Sequence, residues 1–409
     1  MTLATANTDG PEWMLYDTDL STPLHILKGI DAGLYLRLNE PGSGSMTLPL
    51  TDPAAADIQH ARFVVCSYRG AIRGGFFIES IERIDVNESE YTGRAVRFSG
   101  RGSLALLDDA CVADWGTPDV QNTRKFGTDG IDLTGMVPAY PINSGAPWTK
   151  GNIFASLLRE ARDLITNTLG QKTDRYCWHV DGASFGVDAG TEILDWDFDE
   201  TNDSIPVPWT VAEDIELRVG MSLLDVLRQI AALQHDFTID FDPATGFMLH
   251  GFDQRIGTDK SGTVFFRVGQ NCIGVSYTST CTDVRNQITV ELSDPITPFT
   301  EVYNNPSLQA YRRRESFLSA SNATTVATAE DYGTEELKAI KDPVTEVSVK
   351  ISDAVGPRIF IDYELGDKIS YDDIGTVEEL RVVGAELSWP GDQKYADVVV
   401  EVEDMEVTP

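Results

Sequence analysis

Basic residues are what this chain most lacks. It carries 32 Lys and Arg against 65 Asp and Glu over 409 residues, a formal net charge of −33. A surface of that sign repels phosphate backbones, so nucleic-acid recognition through phosphate contacts is disfavoured. Cysteine is scarce too. Cys66, Cys111, Cys177, Cys272 and Cys281 are odd in number, widely spaced and without a CxxC pair. They read as small buried thiols of a reducing compartment, although Cys272 and Cys281 are close enough to face each other across a hairpin. No apolar run approaches the roughly 18 residues of a membrane span. The first thirty residues carry Asp9, Glu12, Asp17 and Asp19 before any apolar stretch, which argues against a signal peptide.

Catalytic signatures are missing as well. His25, His60, His179, His235 and His250 are far apart, with no HExxH and no pair at ligand spacing; only His235 and His250 flank one hairpin. No GxSxG, no phosphate-binding glycine loop and no GxGxxG opening a helix occurs. The run Asp195–Asp203 (DWDFDETND) places Asp195, Asp197, Asp199 and Asp203 as weak ligands for a divalent cation. An EF-hand loop needs Gly at its sixth position and Glu at its twelfth, and here those are Glu200 and Pro206, so that motif fails. The expectation is a protein without catalytic residues, resident metal or cofactor.

What is present is β pattern. Gly33–Leu38 alternates, with Leu34, Leu36 and Leu38 on one face and Tyr35 and Arg37 on the other. Leu38–Leu50 (LNEPGSGSMTLPL) follows as a glycine-serine turn into a strand, and Arg62–Arg69 is a further run. Ile72–Val86 reads as one long strand whose alternation slips near Ile81, as at a bulge. Gly93–Gly100 is another strand, and Leu104–Asp109 a short closing helix. From about Val112 the texture loosens: residues 112–150 are rich in Gly, Pro, Thr and Asn without clear periodicity, and residues 176–218 form a second, polar and aromatic stretch. Asn152–Leu169 is expected as a helix stopped by Gly170, on the stripe Ile153, Leu157, Leu158, Ala161, Leu164 and Ile165. Trp178, Trp196 and Trp209 lie in this polar, aromatic region, as core of an inserted domain or as a sugar platform.

A second helix begins at Ser222, capped with Asp225, and a hairpin follows over Phe237–Phe241 and Phe247–Gly251. Gly262–Val268, Ile273–Thr280 and Gln287–Leu292 are strands. Residues 294–322 read as an exposed loop holding the one dense basic run, Arg312, Arg313 and Arg314, candidates for an inter-subunit contact. Thr328–Lys341 is a helix, and Val344–Ser352, Leu380–Leu387 and Ala396–Val402 close the chain as strands.

Several short signatures recur in a family order: the N-terminal strand block with its leucine-aspartate closing turn, the bend Val268–Asn271 (VGQN), the strand Asn286–Val290 (NQITV) and the turn Leu365-Gly366-Asp367. In that order they resemble the tail-hub (baseplate-hub or minor tail) proteins of long-tailed bacteriophages and archaeal tailed viruses. The resemblance implies a mainly β fold with an α+β insertion. It divides the chain into two tube-like β-barrels (1–111, and 262–293 with 344–409), an inserted mixed domain (112–261) and a loop-helix insertion (294–343). It further implies a homotrimeric ring at the tail tip of the virion, assembled in the host cytoplasm. The partners it implies are the tail-tube or distal-tail protein, the tape-measure protein and tip or fibre proteins. Genome DNA would pass through without specific binding, and no membrane insertion is expected. Three rival readings stand beside it: a receptor- or carbohydrate-binding tip protein, a cell-wall or glycan hydrolase of the virion, and a tail-tube or distal-tail subunit, which would share the barrel but assemble as hexameric rings. The abundance of Asp over Glu and Arg over Lys fits a halophilic archaeal host or a GC-rich bacterial one.

Overall fold

The computed structural model describes residues 10–18, 20–87, 92–112, 123–126, 151, 153–154, 157–158, 164–166, 172–174, 194–196, 215–218, 220–231, 235–244, 246–252, 255–267, 269–282, 284–292, 298–320, 325–342, 344–352, 356–373, 376–391 and 393–404. They are mostly strand. The chain divides into two compact units. Unit 1 is Met1–Ile273 with Lys350–Val400 and Asp404–Pro409; unit 2 is Gly274–Val349 with Glu401–Glu403.

Unit 1 opens with β1 (Glu12–Tyr16), β2 (Pro23–Leu27), β3 (Asp31–Arg37), β4 (Ser43–Pro49), β5 (Phe63–Tyr68), β6 (Ala71–Phe77), β7 (Ser80–Asn87) and β8 (Thr92–Arg101), then the one-turn helix α1 (Ala105–Asp108). One sheet has the order β2-β1-β5-β6; β3, β4, β8 and β7 are successive neighbours in another. The glycine-serine stretch is strand rather than turn: Ser43 pairs with Tyr35 and Arg101, and the bend lies at residues 38–42, where Asn39 (φ +61°) and Gly42 (φ +65°) are left-handed. Small residues suit that strand because the Phe76 ring packs on it, and a Cβ at Gly44 would sit 2.0 Å from that ring.

The long strand expected over Ile72–Val86 is two strands. β6 pairs with β5 and β7 with β8, in different sheets. Between them Ile78 donates its N–H to Arg62 O (2.8 Å) and Glu79 donates to Ser99 O (3.0 Å), so the slip in alternation marks a change of sheet, not a bulge.

The next strands are β9 (Thr123–Phe126), β10 (Leu164–Thr166), β11 (Lys172–Asp174), β12 (Leu194–Trp196) and β13 (Ile215–Arg218). β9 pairs with β13, and β10 with β11. The helix expected over Asn152–Leu169 is therefore cut short. Ile153, Phe154, Leu157 and Leu158 are helical and buried, but Leu164–Thr166 is strand, its backbone in antiparallel register with Lys172–Asp174. The helix α2 (Leu223–Ala231) starts as expected: Asp225 donates its N–H to Ser222 Oγ at 3.1 Å. The hairpin β14 (Phe237–Asp242) and β15 (Gly246–Gly251) follows, with β12 parallel to β15. One core runs through these parts. Phe63 meets Phe241 and Phe247 at ring separations of 5.1 Å each, and Leu223, Leu224, Leu227 and Ile230 of α2 join the same cluster.

β16 (Phe265–Arg267) is the last strand in the first span of unit 1, which resumes at Lys350, and its C-terminal part returns to the N-terminal strands. Unit 2 contains β17 (Gly274–Thr280), β18 (Gln287–Leu292), β19 (Phe299–Tyr303), α3 (Asn305–Tyr311), β20 (Glu315–Ala320), α4 (Val326–Ile340) and most of β21 (Val344–Ser352); β22 (Lys368–Asp373), β23 (Thr376–Pro390) and β24 (Asp397–Asp404) follow. β23 pairs antiparallel with β3, from Pro390 opposite Asp31 to Gly384 opposite Arg37. Among the described residues no sheet closes into a barrel; the β-rich N-terminal and C-terminal regions merge into one sheet through β3 and β23 instead. Alternation explains the join: Leu34 faces Leu387 and Ala32 faces Trp389, all four buried. Trp389 stacks edge-on to Trp13 (5.7 Å) and Tyr68 (5.2 Å).

In unit 2, within the region expected as an exposed loop, 294–322, the described residues 298–320 form β19, α3 and β20. Asn304 caps α3 by accepting from Ser307 N–H (3.0 Å), and Pro306 sits in the first turn, where its missing N–H costs nothing. β19 and β20 flank β18, antiparallel and parallel respectively. α4 covers one face of this sheet. Gly333 allows the approach, since a Cβ there would lie 2.8 Å from Val290 Cγ2. No helix among the described residues is long and apolar enough to cross a membrane.

Candidate functional site

Three segments distant in sequence converge on one buried carboxylate in unit 1. Asp236 is 1% exposed and Arg381 4%. Arg381 Nη2 donates to Asp236 Oδ2, which also accepts from Ile256 N–H at 2.7 Å; Asn39 Nδ2 donates to Asp236 Oδ1 at 3.1 Å. Asn39 in turn accepts from Phe237 N–H (2.8 Å) through Oδ1 and from Arg228 Nε (3.2 Å) through its carbonyl, and Arg228 also pairs with Glu40. The left-handed Asn39 thus locks the β3–β4 turn to β14 and β23. A carboxylate with a cation and two further donors is compensated for its loss of water.

Beside this node the same elements wall a cleft of about 390 Å³. β3 contributes Tyr35 and Leu36, β6 contributes Arg73 to Gly75, β14 contributes Thr238 to Asp240, and the loop before β22 contributes Phe360 and Glu364. A register shift between Cys66 and Ser67 opposite β6, with Gly74 at φ +154°, re-aims this part of the strand. Arg73 donates Nε–H to Tyr68 O (3.0 Å), and its guanidinium lies 4.4 Å from the centre of the Phe360 ring. Phe360 is held at φ +64°, unusual for a bulky residue, by its N–H bond to Tyr363 O (2.7 Å). Burial pulls the Arg73 pKa below the usual arginine range, partly offset by the Glu364 charge. Burial pushes the Cys66 thiol far up, so it is no nucleophile.

The Leu365-Gly366-Asp367 turn is a second node. Asp367, 4% exposed, accepts from Thr258 N–H (2.7 Å), Thr258 Oγ1 (3.0 Å) and Glu364 N–H (2.9 Å), and pairs with Lys260 at 3.3 Å. Gly257 and Gly366 pass so closely that a Cβ on Gly257 would lie 2.0 Å from Gly366 O.

The structure scatters the residues singled out by sequence. Arg314 donates to the carbonyls of Cys281 and Thr282, and its N–H bonds Asn286 Oδ1 (2.8 Å). Arg313 pairs with the neighbouring Glu315, both well exposed, and Arg312 ends α3 exposed at φ +64°. Asn286, fully buried, holds this corner by also donating Nδ2–H to Arg312 O (2.6 Å). The bend at 269–271 is real: Asn271 Oδ1 accepts from Arg267 N–H (2.7 Å) and Gly269 is left-handed. Asp197, Asp199 and Asp203, with Trp178 and Trp209, lie outside the described residues, and of Asp195 and Trp196 only the backbone, in β12, is described.

Each histidine in the described region has its own neighbour, except that His60 is simply exposed. His25 bonds Asp57 (2.7 Å), holding that carboxyl below its usual range; His235 contacts Phe252 O (3.2 Å) and His250 lies 3.5 Å from Asp240. Cys272 and Cys281 do not face each other across a hairpin: the whole strand β17 separates them, and both are free thiols. Among the described residues no three His, Cys, Asp or Glu side chains gather as a metal site. Asn39, Arg73, Asp236, Phe360 and Arg381 carried no sequence signal beyond the turn preference of Asn39.

No protein-family model matches this chain, and no curated protein matches it. Solved structures do. The 43 kDa tail protein of prophage MuSo2 from Shewanella oneidensis superposes with a TM-score of 0.53 at 12% identity, over 96% of this chain and 98% of that one. The tail protein from Neisseria meningitidis MC58 superposes with a TM-score of 0.53 at 10% identity, over 97% and 98%. The chain has the fold of these two tail proteins along nearly its whole length.

Proposed function

We propose that this chain is a structural component of a viral tail, specifically the hub that closes the distal end of the tail tube and anchors the tip. The observation that carries the reading is the likeness in fold to two tail proteins over nearly the full length of both partners. A scaffold role also suits the interior chemistry: the buried polar groups at Asp236, Asn286 and Asp367 are consumed in holding distant segments together.

In this reading three copies form a ring. The β-rich N-terminal and C-terminal regions of each copy alternate around it, offering six similar surfaces to a hexameric tube. Neighbours are the tail-tube or distal-tail protein, the tape-measure protein and tip or fibre proteins. The channel wall is neutral to acidic, because each Lys or Arg there would capture a phosphate and slow the genome. Arg312 to Arg314 lie at chain contacts, where Arg312 and Arg313 have exposed side chains to offer. Light scattering of the purified protein from 0.1 to 2 M NaCl tests the ring: a mass of three chains is expected. A single chain at every salt, or labelled antibody decorating virions away from the tail tip, overturns the reading. Hydrolysis of host wall or surface glycan that one acid-to-amide change abolishes would replace it with the hydrolase reading.

A further inference from the structure

We infer that the uncovered face of the β19-β18-β20 sheet in unit 2 is a docking surface for a cationic segment of another protein, an extended stretch with Lys or Arg at alternate positions. The inference rests on the reading of this chain as one part of a larger assembly, and it names a contact surface within that assembly.

The sheet has one covered face and one bare face. Ile288, Val290 and Leu292 of β18 point to α4 and are buried with Ala329 and Leu337. Alternation sends their neighbours to the other side. There Phe299, Tyr303 and Phe317 are each more than half exposed, and Glu291, Glu301 and Glu315 stand among them.

Two of those rings form a platform. Adjacent strands lie about 4.8 Å apart, so β19 and β20, on either side of β18, stand about 9.6 Å apart. The Phe299 and Phe317 ring centres are only 6.2 Å apart. The rings therefore lean toward each other over β18. The register sets Glu291 directly opposite Phe299, and puts Glu301 in the row of Thr289 and Phe317.

The carboxylates beside the platform are oriented but not neutralised. Ser319 Oγ donates to Glu291 Oε2 (3.0 Å), and Gln287 Nε2 donates to Glu301 Oε2 (3.1 Å). Both donors are neutral, and among the described residues no cation pairs with either acid. Glu315 differs, because the nearby Arg313 pairs with it.

This combination selects the occupant. An aromatic face attracts a cation, and a carboxylate beside it adds an ion pair to the same group. A neutral or anionic partner would leave two charges unpaired in the contact, which is costly once water is excluded. Glu301 lies diagonal to Glu291 across the ladder, a relation that places side-chain roots about 7–8 Å apart. Alternate residues of an extended chain project on one side at about 6.6–7 Å, so cations at i and i+2 meet both acids. A second copy is the poorer supplier, since it brings 65 acids against 32 bases.

The test uses the full chain at about 0.15 M NaCl and a fluorescein-labelled peptide of alternating Lys and Thr, set against one of alternating Glu and Thr. Fluorescence anisotropy is expected to show binding of the Lys peptide and none of the Glu peptide. Glu291→Gln with Glu301→Gln, and separately Phe317→Ser, should each weaken binding about tenfold or more. Asp31→Asn with Glu82→Gln removes the same charge from exposed positions in unit 1 and should change binding by no more than about twofold. A water-soluble carbodiimide should join the peptide's amines to Glu291 or Glu301 of the wild type, a readout that needs no variant to fold. No binding of the Lys peptide overturns the proposal. So does binding that the Asp31 and Glu82 control weakens equally, binding unchanged in Phe317→Ser, or links scattered over the other carboxylates, each of which marks net charge alone. A copy–copy association that Phe317→Ser abolishes also overturns it, because a second copy then covers the face. The ring reading fails separately: a mass of three chains without peptide binding leaves the ring standing, and peptide binding by a chain that stays single leaves the surface standing.

Discussion

Asp236 and Arg381 stand 145 positions apart and form an ion pair almost sealed from solvent, with side chains 2% and 5% exposed. Asn39 completes the node from the opposite end of the chain. Removing one partner strands the other's charge, whereas removing both loses mainly the bonds to Ile256 N–H and Asn39. Arg381→Met should therefore lower unfolding free energy by about 3–5 kcal/mol. Adding Asp236→Leu should cost less than the sum of the two single changes, with a coupling of about 1–3 kcal/mol in urea titrations. Strict additivity would show that the pair is not energetically joined.

Glycine tolerance should differ sharply by position. At Gly257 (φ +113°) an added Cβ collides with Gly366 O, while Gly262 has nothing within 4 Å and no left-handed backbone. Gly257→Ala should destabilise by about 1–3 kcal/mol or more, and Gly262→Ala by no more than about 0.5 kcal/mol. Equal melting temperatures for the two variants would contradict the close approach of residue 257 to the Leu365-Gly366-Asp367 turn.

Acid should loosen the β8–α1 corner. Arg101 reaches Glu79 (2.7 Å), Asp108 (2.7 Å) and Asp109 (2.8 Å), and its hydrogen bonds hold the Glu79 carboxyl below the ordinary 4.5. The folded state then binds fewer protons than the unfolded one. This stabilisation is complete above pH 4.5 and is lost as pH falls through the lower folded value. The groups are partly solvated, so the gain is only about 0.5–1 kcal/mol. Arg101→Gln should lose that much at about pH 7 and almost nothing at about pH 2, below the carboxylate range, read from paired denaturation curves. A variant penalty that grows toward low pH would refute the sign.

Salt should stabilise. At −33 per chain the self-repulsion is long-ranged in dilute buffer, and the Debye length shrinks from about 10 Å at 0.1 M to about 3 Å at 1 M. Melting temperature should rise steadily with NaCl, more than for a charge-balanced protein of similar size. A flat curve between 0.1 and 2 M would remove both this argument and the halophilic reading of the composition.

Local pattern carried far in this chain. The alternation of Leu34, Leu36 and Leu38, the Ser222–Asp225 cap, the β14–β15 hairpin and β21 are all determined within a few residues, so period and capping chemistry suffice to find them. Where local signals failed, a distant partner had decided the matter. Ser43–Pro49 looks like a turn by composition and is strand because β3 and β8 claim its backbone on both sides. Ile72–Val86 looks continuous and breaks because its halves serve different sheets. Residues 299–320 look like loop, and β20 is held by parallel pairing to β18, a contact no short window contains.

The sequence by itself determined the mainly β character, the acidic surface and the positions of most strands, because hydrophobic period and charge count are properties of the chain read locally. Tertiary structure alone decided that β3 joins β23, that Asn39, Asp236 and Arg381 form one buried node, and that Arg73 lies over a left-handed Phe360. Those depend on which distant backbone groups satisfy one another once water is excluded, and one-dimensional pattern holds no record of that pairing.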